Sequence, residues 1–281
     1  MSEESTGTQH TAIPMVVRRY PFDLEAALGE DWFGGDRFRT IIANALSIPL
    51  PSGERMFIRA LRHYLEQIED PLLLEEVKIF FKQESTHTQE HVKYNRWICQ
   101  HRGYDLAQVE APYKAHNEYL CENAEPRLLL ATTVCMEHLT AVVSHLLISE
   151  PAWLAKAAPA VRDFWLWHSV EEVEHKAVAF DVYRQVIGDK GYLDEVMRST
   201  VVQLAQNLRF TACQMYLMEG GRPRDVRQWL DTSPFLQGDR GLLAAIVGHV
   251  EDFYRADFHP WDHDNRHLIS LVTRHLEQAF A

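Results

Sequence analysis

Residues 165–176 read WLWHSVEEVEHK, a run of ionisable groups set between Phe164, Trp165 and Trp167 on one side and Val178 and Phe180 on the other. Positions i, i+3, i+4 and i+7 of a helix share a face. On that period His168, Glu172 and His175 fall in one stripe with Val161, Phe164, Trp165, Ala179 and Val186. The pattern recurs along the chain. Residues 71–101 give Val77, Phe80, Phe81, Glu84, His87, His91 and Ile98; residues 126–148 give Leu130, Val134, Glu137, Ala141, Ser144 and Ile148; residues 52–68 give Glu54, Ile58, Leu61 and Leu65. A carboxylate buried among such residues is strongly destabilising unless it is paired or bound to a metal. Four helices that each aim a glutamate into one core therefore call for cations there. Four carboxylates and two divalent metals are charge-neutral, and neutral histidines complete the coordination.

The punctuation of the chain supports helices. QIEDPLLLEE, ENAEPRLLLA and LISEPAWLAK each set acidic residues before a proline and an apolar run. Proline suits the first helical turn, and acidic groups suit the positive end of the helix dipole. This predicts helices over 52–68, 71–101, 126–148 and 152–187, with Gly103 and Gly188 just past two C-termini. Further helices are expected near 35–46, 104–122, 191–219, 224–230, 240–256 and 265–280, and strand signals are nearly absent. The expected organisation is all-α: a disordered leader at 1–14, then a single helical domain over 15–281. Within it a bundle occupies about 50–187, and covering helices occupy about 190–281.

Composition narrows the partners. A net charge of −12 over 281 residues argues against nucleic acid. Cys99, Cys121, Cys135 and Cys213 lack CxxC spacing and read as reduced thiols. The N-terminus has no secretory signal pattern, and no apolar run of membrane-spanning length is evident, so no transmembrane segment and a cytoplasmic location are expected.

Glu84-Ser-Thr-His87 and Glu172-Val-Glu-His175 are both Glu-x-x-His, a weak signal alone. Glu54 upstream of the first and Glu137 upstream of the second complete a set of two single glutamates and two Glu-x-x-His motifs, the ligand set of a dinuclear site in a four-helix bundle. Over residues 50–187 the chain thereby resembles the ferritin-like di-iron carboxylate proteins. The resemblance implies a ferritin-like four-helix bundle with additional helices at both ends, and Glu54, Glu84, His87, Glu137, Glu172 and His175 as ligands of two iron ions. A Mn/Mn or mixed Mn/Fe pair fits the same ligands. His168, one turn before Glu172, makes His-x-x-x-Glu-x-x-His. The arylamine N-oxygenases carry an additional histidine ligand there, so by resemblance His168 is a seventh ligand; the alternative is a core histidine donating to a backbone carbonyl. Over its whole length, including FHPWD at 258–262, the chain also resembles a bacterial family of predicted metal-dependent hydrolases.

Other ionisable groups have plainer readings. His91, two turns after Glu84, suits a structural or supporting role better than that of a further ligand; Glu171 suits a partner to a ligand, and Glu90 a solvated residue or such a partner. The His259–His263 loop, with Asp262 and Asp264, offers metal-ligand types but reads better as a capped turn between helices; His138 and His145 lie off the Glu137 line. Three functions fit. The first is an O2-activating oxidoreductase or oxygenase acting on a small organic substrate, with N-oxygenation implied by the resemblance and an external electron donor required. The second is a dinuclear metal-dependent hydrolase, and the third a ferroxidase or iron-handling protein. The helical segment after residue 188 suits a cover over a substrate pocket or a homodimer face better than an iron-storage shell.

Overall fold

The computed structural model describes residues 14–225, 228 and 242–281. Its helices are α1 (Glu25–Leu28), α2 (Arg37–Ser47), α3 (Leu50–Arg62), α4 (Pro71–Arg102), α5 (Leu106–Asn123), α6 (Pro126–Ser149), α7 (Pro159–His175), α8 (Val178–Val186), α9 (Lys190–Met218), α10 (Leu242–Phe253) and α11 (Arg266–Ala279). Among the described residues there is no strand, only an isolated bridge between Phe33 and Ala157. Most of the leader expected at 1–14, and much of the helix expected at 224–230, fall outside the described residues.

Local chemistry sets several boundaries. The Asp70 side chain accepts from the Leu72 amide and Pro71 occupies the first turn, which starts α4. Gly103 ends it in the left-handed region (φ 74°), its N–H donating to the Cys99 carbonyl. Gly188 (φ 69°) follows α8 in the same conformation.

Two expected helices are shorter than the sequence pattern suggested. The helix expected over 52–68 ends at Arg62 and gives way to a 3-10 turn at Leu65–Gln67. The helix expected over 152–187 is divided. Pro151 and Pro159 both suit a first turn, but the chain between them is held otherwise: the Ala158 amide donates to the Trp32 carbonyl at 2.8 Å, and Ala157 bridges Phe33. The helix therefore starts at Pro159. It breaks at Lys176 and Ala177, where the Lys176 ammonium is drawn to the His263 carbonyl (2.7 Å) and Asn265 Oδ1 (3.0 Å).

Four helices form the bundle: α3 packs along α4, α6 packs along α7, and contacts of α3 with α6 and of α4 with α7 and α8 close it. α9 lies against α2 and α6, and α11 against α7. α6 is, by length and apolarity, long enough to span a membrane, contrary to expectation. Some 67% of its most apolar window is nevertheless buried within the protein, and it carries Glu137 on an inward face. Two apolar clusters fill the interior. One joins Phe164, Trp165 and Trp167 to the N-terminal segment, α2 and α11; the other joins Phe80, Leu130, Val134 and Ala179 to α9 and α10. The ionisable stripes meet between them.

Candidate metal centre

The helical period brings the seven predicted donors to the middle of the bundle. Glu54 comes from α3, Glu84 and His87 from α4, Glu137 from α6, and His168, Glu172 and His175 from α7; none is more than 3% exposed. His175 Nε2 lies 3.1 Å from Glu84 Oε1, 3.3 Å from Glu137 Oε2 and 3.6 Å from Glu172 Oε2. His87 Nδ1 lies 3.4 Å from Glu172 Oε1 and 3.7 Å from Glu84 Oε1, and His168 Nε2 lies 3.5 Å from Glu172 Oε1. Glu84 and Glu172 thus face both histidine sides. Ligand atoms close enough to share one cation occur in four overlapping groups: Glu84, Glu137 and His175; Glu54, Glu84 and His87; His87, His168 and Glu172; and Glu54, His91 and His168. The first lies on the His175 side and the other three on the side of His87 and His168.

The cluster is short of positive charge. Both oxygens of Glu84 and of Glu137, one oxygen each of Glu54 and Glu172, His87 Nδ1 and His175 Nε2 are buried without a hydrogen-bond partner. Such atoms are costly to bury. Two divalent cations would satisfy them and balance four carboxylates, so the donor set fits a dinuclear centre of hard-to-borderline metals.

The pKa pattern of the bare cluster reflects the same frustration. Burial pushes Glu54 up to about 8 and Glu137 up to about 7, against the attraction of His87 and His175 respectively. Burial also drives Glu84 well above the usual carboxylate range. Glu172 goes the other way: burial opposes its charge, but His168 and His175 hold it well below that range. For His87 and His175 burial opposes protonation, yet the surrounding glutamates hold both well above the ordinary histidine value. His168 is pushed down to about 3 by burial and by His87.

Each histidine has a polar group close to its far nitrogen. His87 Nε2 faces Glu171 Oε2 at 3.0 Å. His175 Nδ1 lies 3.1 Å from Gln83 Oε1, and the Gln83 amide donates to Glu174 Oε2 (2.9 Å) and the Val16 carbonyl (3.2 Å). That arrangement keeps a proton on His175 Nδ1, so that the neutral ring turns its Nε2 lone pair toward the carboxylates. His168 Nδ1 lies 3.4 Å from His91 Nε2, His91 Nδ1 lies 2.8 Å from Ser47 Oγ, and the Ser47 hydroxyl donates to Asn95 Oδ1 at 2.7 Å. Read from Asn95, this chain makes His91 Nδ1 a donor and Nε2 an acceptor, so His168 carries its proton on Nδ1 and presents Nε2 to the cluster. His168 therefore donates to His91 and not to a backbone carbonyl.

Sequence reasoning missed most of these supports. Arg18 clamps the outer carboxylates: its amide donates to Glu171 Oε1 (2.6 Å), and its guanidinium donates to both oxygens of Glu174 (2.6 and 2.9 Å). Thr88 donates to Glu54 Oε2 at 2.8 Å. Gln83, Ser47 and Asn95 likewise carry no short motif. Glu90 pairs with Lys93 near the surface at 2.7 Å, away from the cluster. In the 258–263 loop, His259 caps the turn at Pro260–Asp262 and faces Asp181 at 3.1 Å, while His263 pairs with Asp252 at 2.8 Å. His138 contacts the His249 carbonyl and His145 contacts Asn265.

An apolar cavity between α2, α3, α5, α6, α7 and α9 reaches the cluster, with Glu54 and His168 on its wall. Among the described residues no lysine, arginine or aspartate lines it, so these residues offer no cation to a phosphate or other strongly anionic substrate.

A bundle that gathers these donors defines a metal-binding helical protein. Residues 16–264 match the family model described as predicted metal-dependent hydrolase, and the chain belongs to that family. Neither the curated proteins nor the solved structures yield a match.

Proposed function

We propose that the chain is a dinuclear-metal enzyme, with two iron ions, that activates O2 to oxidise a small organic substrate. The observation that carries this reading is the buried set of four glutamates and three histidines at the inner end of an apolar cavity. Glu54, His87 and His168 would hold one metal and Glu137 and His175 the other, with Glu84 and Glu172 between them. Two ferrous ions bound there supply electrons and open coordination positions for O2. The chain's own residues do the rest. Glu171, Gln83 and His91 fix the ring nitrogens that face the metals, and Trp165, Met136 and Leu139 give the cavity an apolar wall. An external electron donor restores the reduced state, and the resemblance to arylamine N-oxygenases makes N-oxygenation one form of the reaction.

Hydrolysis is the second reading, favoured by the description of the family. A metal pair then lowers the pKa of a water molecule, and the largely apolar cavity wall, with Glu54 as its carboxylate, suits an ester or amide of an apolar acid better than a phosphate. Anaerobic loading with ferrous iron, followed by exposure to O2, separates the two. Oxygen uptake in proportion to bound iron is expected. Metal-loaded protein that is inert to O2 yet cleaves 4-nitrophenyl decanoate would replace the oxygenase reading with the hydrolase one.

A further inference from the structure

The cavity that meets the cluster has a shape and chemistry of its own. Its long walls are helical stripes: Met136, Leu139, Val143 and Leu147 on α6, and Leu204 and Leu208 on α9. About 140 Å³ is open to the centres of water molecules, room for about ten of them and hence for a ligand of about ten heavy atoms. Its histidine, carboxylate and amide groups lie toward two ends. Glu54 and His168 stand at the inner one. At the outer one, His116 on α5 and Gln203 on α9 are the exposed lining residues, and they hydrogen-bond to each other across the gap at 3.1 Å between Nε2 atoms. Asn117 and Asn207 are partly exposed beside them.

We infer that this cavity is the chamber for an unbranched aliphatic chain, admitted between α5 and α9 past the His116–Gln203 pair and extending to Glu54 and His168. Three features select that class. The wall between the ends is mainly apolar, with the hydroxyls of Thr132, Thr140, Ser144 and Thr200 set singly among the aliphatic residues, so it rewards methylene groups more than it rewards mid-chain polar groups. Among the described residues Glu54 is the one carboxylate or cationic side chain on its wall apart from the histidines, which disfavours an anionic head inside. The amide and imidazole groups at the mouth suit the polar end of such a molecule and leave its tail toward the cluster. The inference rests on the proposed centre for its chemistry but not for its binding.

The test uses metal-loaded protein and straight-chain primary alcohols from hexan-1-ol to hexadecan-1-ol, titrated calorimetrically, with metal content measured on the same samples. Affinity is expected to rise about fourfold for each added methylene, then to level off once the chamber is full near decan-1-ol. Leu139→Trp, which fills the chamber, should weaken decan-1-ol binding at least about tenfold. Leu204→Ala, a gentler change, should move the plateau to longer alcohols, so a misfolded tryptophan variant does not remove the test. Metal-loaded protein that binds no alcohol saturably, or binds 4-aminobenzoate in their place, overturns the chamber while leaving the centre standing. So does a plateau that both variants leave unmoved. Saturable, length-dependent binding by protein that retains no metal upholds the chamber and overturns the centre.

Discussion

His87 Nε2 faces the Glu171 carboxylate at 3.0 Å while its Nδ1 is turned to Glu84 and Glu172. One imidazole thereby links a carboxylate that faces the N-terminal segment to two that face the centre. Glu171 in turn accepts from the Arg18 amide, so the segment around Arg18 is coupled to the orientation of a proposed ligand. A carboxylate behind a metal-bound histidine fixes its tautomer and raises its basicity.

Glu171→Gln should therefore leave both metals able to bind but lower the affinity of the His87 side by about 10- to 100-fold. Competition with a chromophoric chelator reads this directly. An affinity equal to that of the unaltered protein would remove Glu171 from the account.

Arg18→Ala should cost about 3 kcal/mol of stability, because Glu174 and Glu171 would remain buried without their cation. The Arg18 amide contact to Glu171 survives the change, which keeps the loss at the lower end for a broken buried pair. Urea denaturation of the metal-free protein measures it. A loss below about 1 kcal/mol would mean that the clamp behaves as an exposed pair.

The metal-free protein should lose stability as pH rises from 6.5 to 8. Glu54 and Glu137 titrate near 4.5 when unfolded, but burial raises them to about 8 and about 7 in the folded chain. Across that window the folded state holds protons that the unfolded state has released, so stability present at lower pH is lost, by up to about 1.4 kcal/mol per group for each pH unit. His87 and His175, also raised, act in the same direction. Metal binding displaces those protons, so calorimetry in buffers of different ionisation enthalpy should show proton release across the window. No proton release would show that the carboxylates are already ionised without metal.

His91→Phe should keep the apolar contacts of the ring with Phe164 and Trp165 but remove the acceptor for His168 Nδ1. Metal affinity on the His168 side should fall about tenfold, with the optical spectrum of the cobalt-substituted protein shifted. An unaltered cobalt spectrum would show that the Asn95–Ser47–His91 chain does not set the orientation of His168.

The bundle was legible because its signals are local. Asp70, Pro71 and Gly103 mark both ends of α4, and a period near 3.6 places Glu84, His87, Glu172 and His175 on inward faces. The start of α7 was not legible: Pro151 and Pro159 are equivalent within the chain, and a tertiary contact to Trp32 decides between them. The supports of the cluster were hidden for a related reason. Arg18 reaches Glu174, Ser47 reaches Asn95 and Gln83 reaches His175 across long stretches of sequence, and each residue type is ordinary at its position. His91 shares the stripe with His87, but only the packing of α2 against α4 supplies the serine that fixes its ring.

Metal stoichiometry decides whether the seven donors form a dinuclear centre. The purified chain, loaded anaerobically with ferrous iron and freed of excess, should retain two metals per chain by emission spectrometry. Glu84→Ala and Glu172→Ala, which remove the carboxylates facing both sides, should each lose that loading while circular dichroism still reports a helical protein. Two metals retained in both variants would contradict the assigned centre.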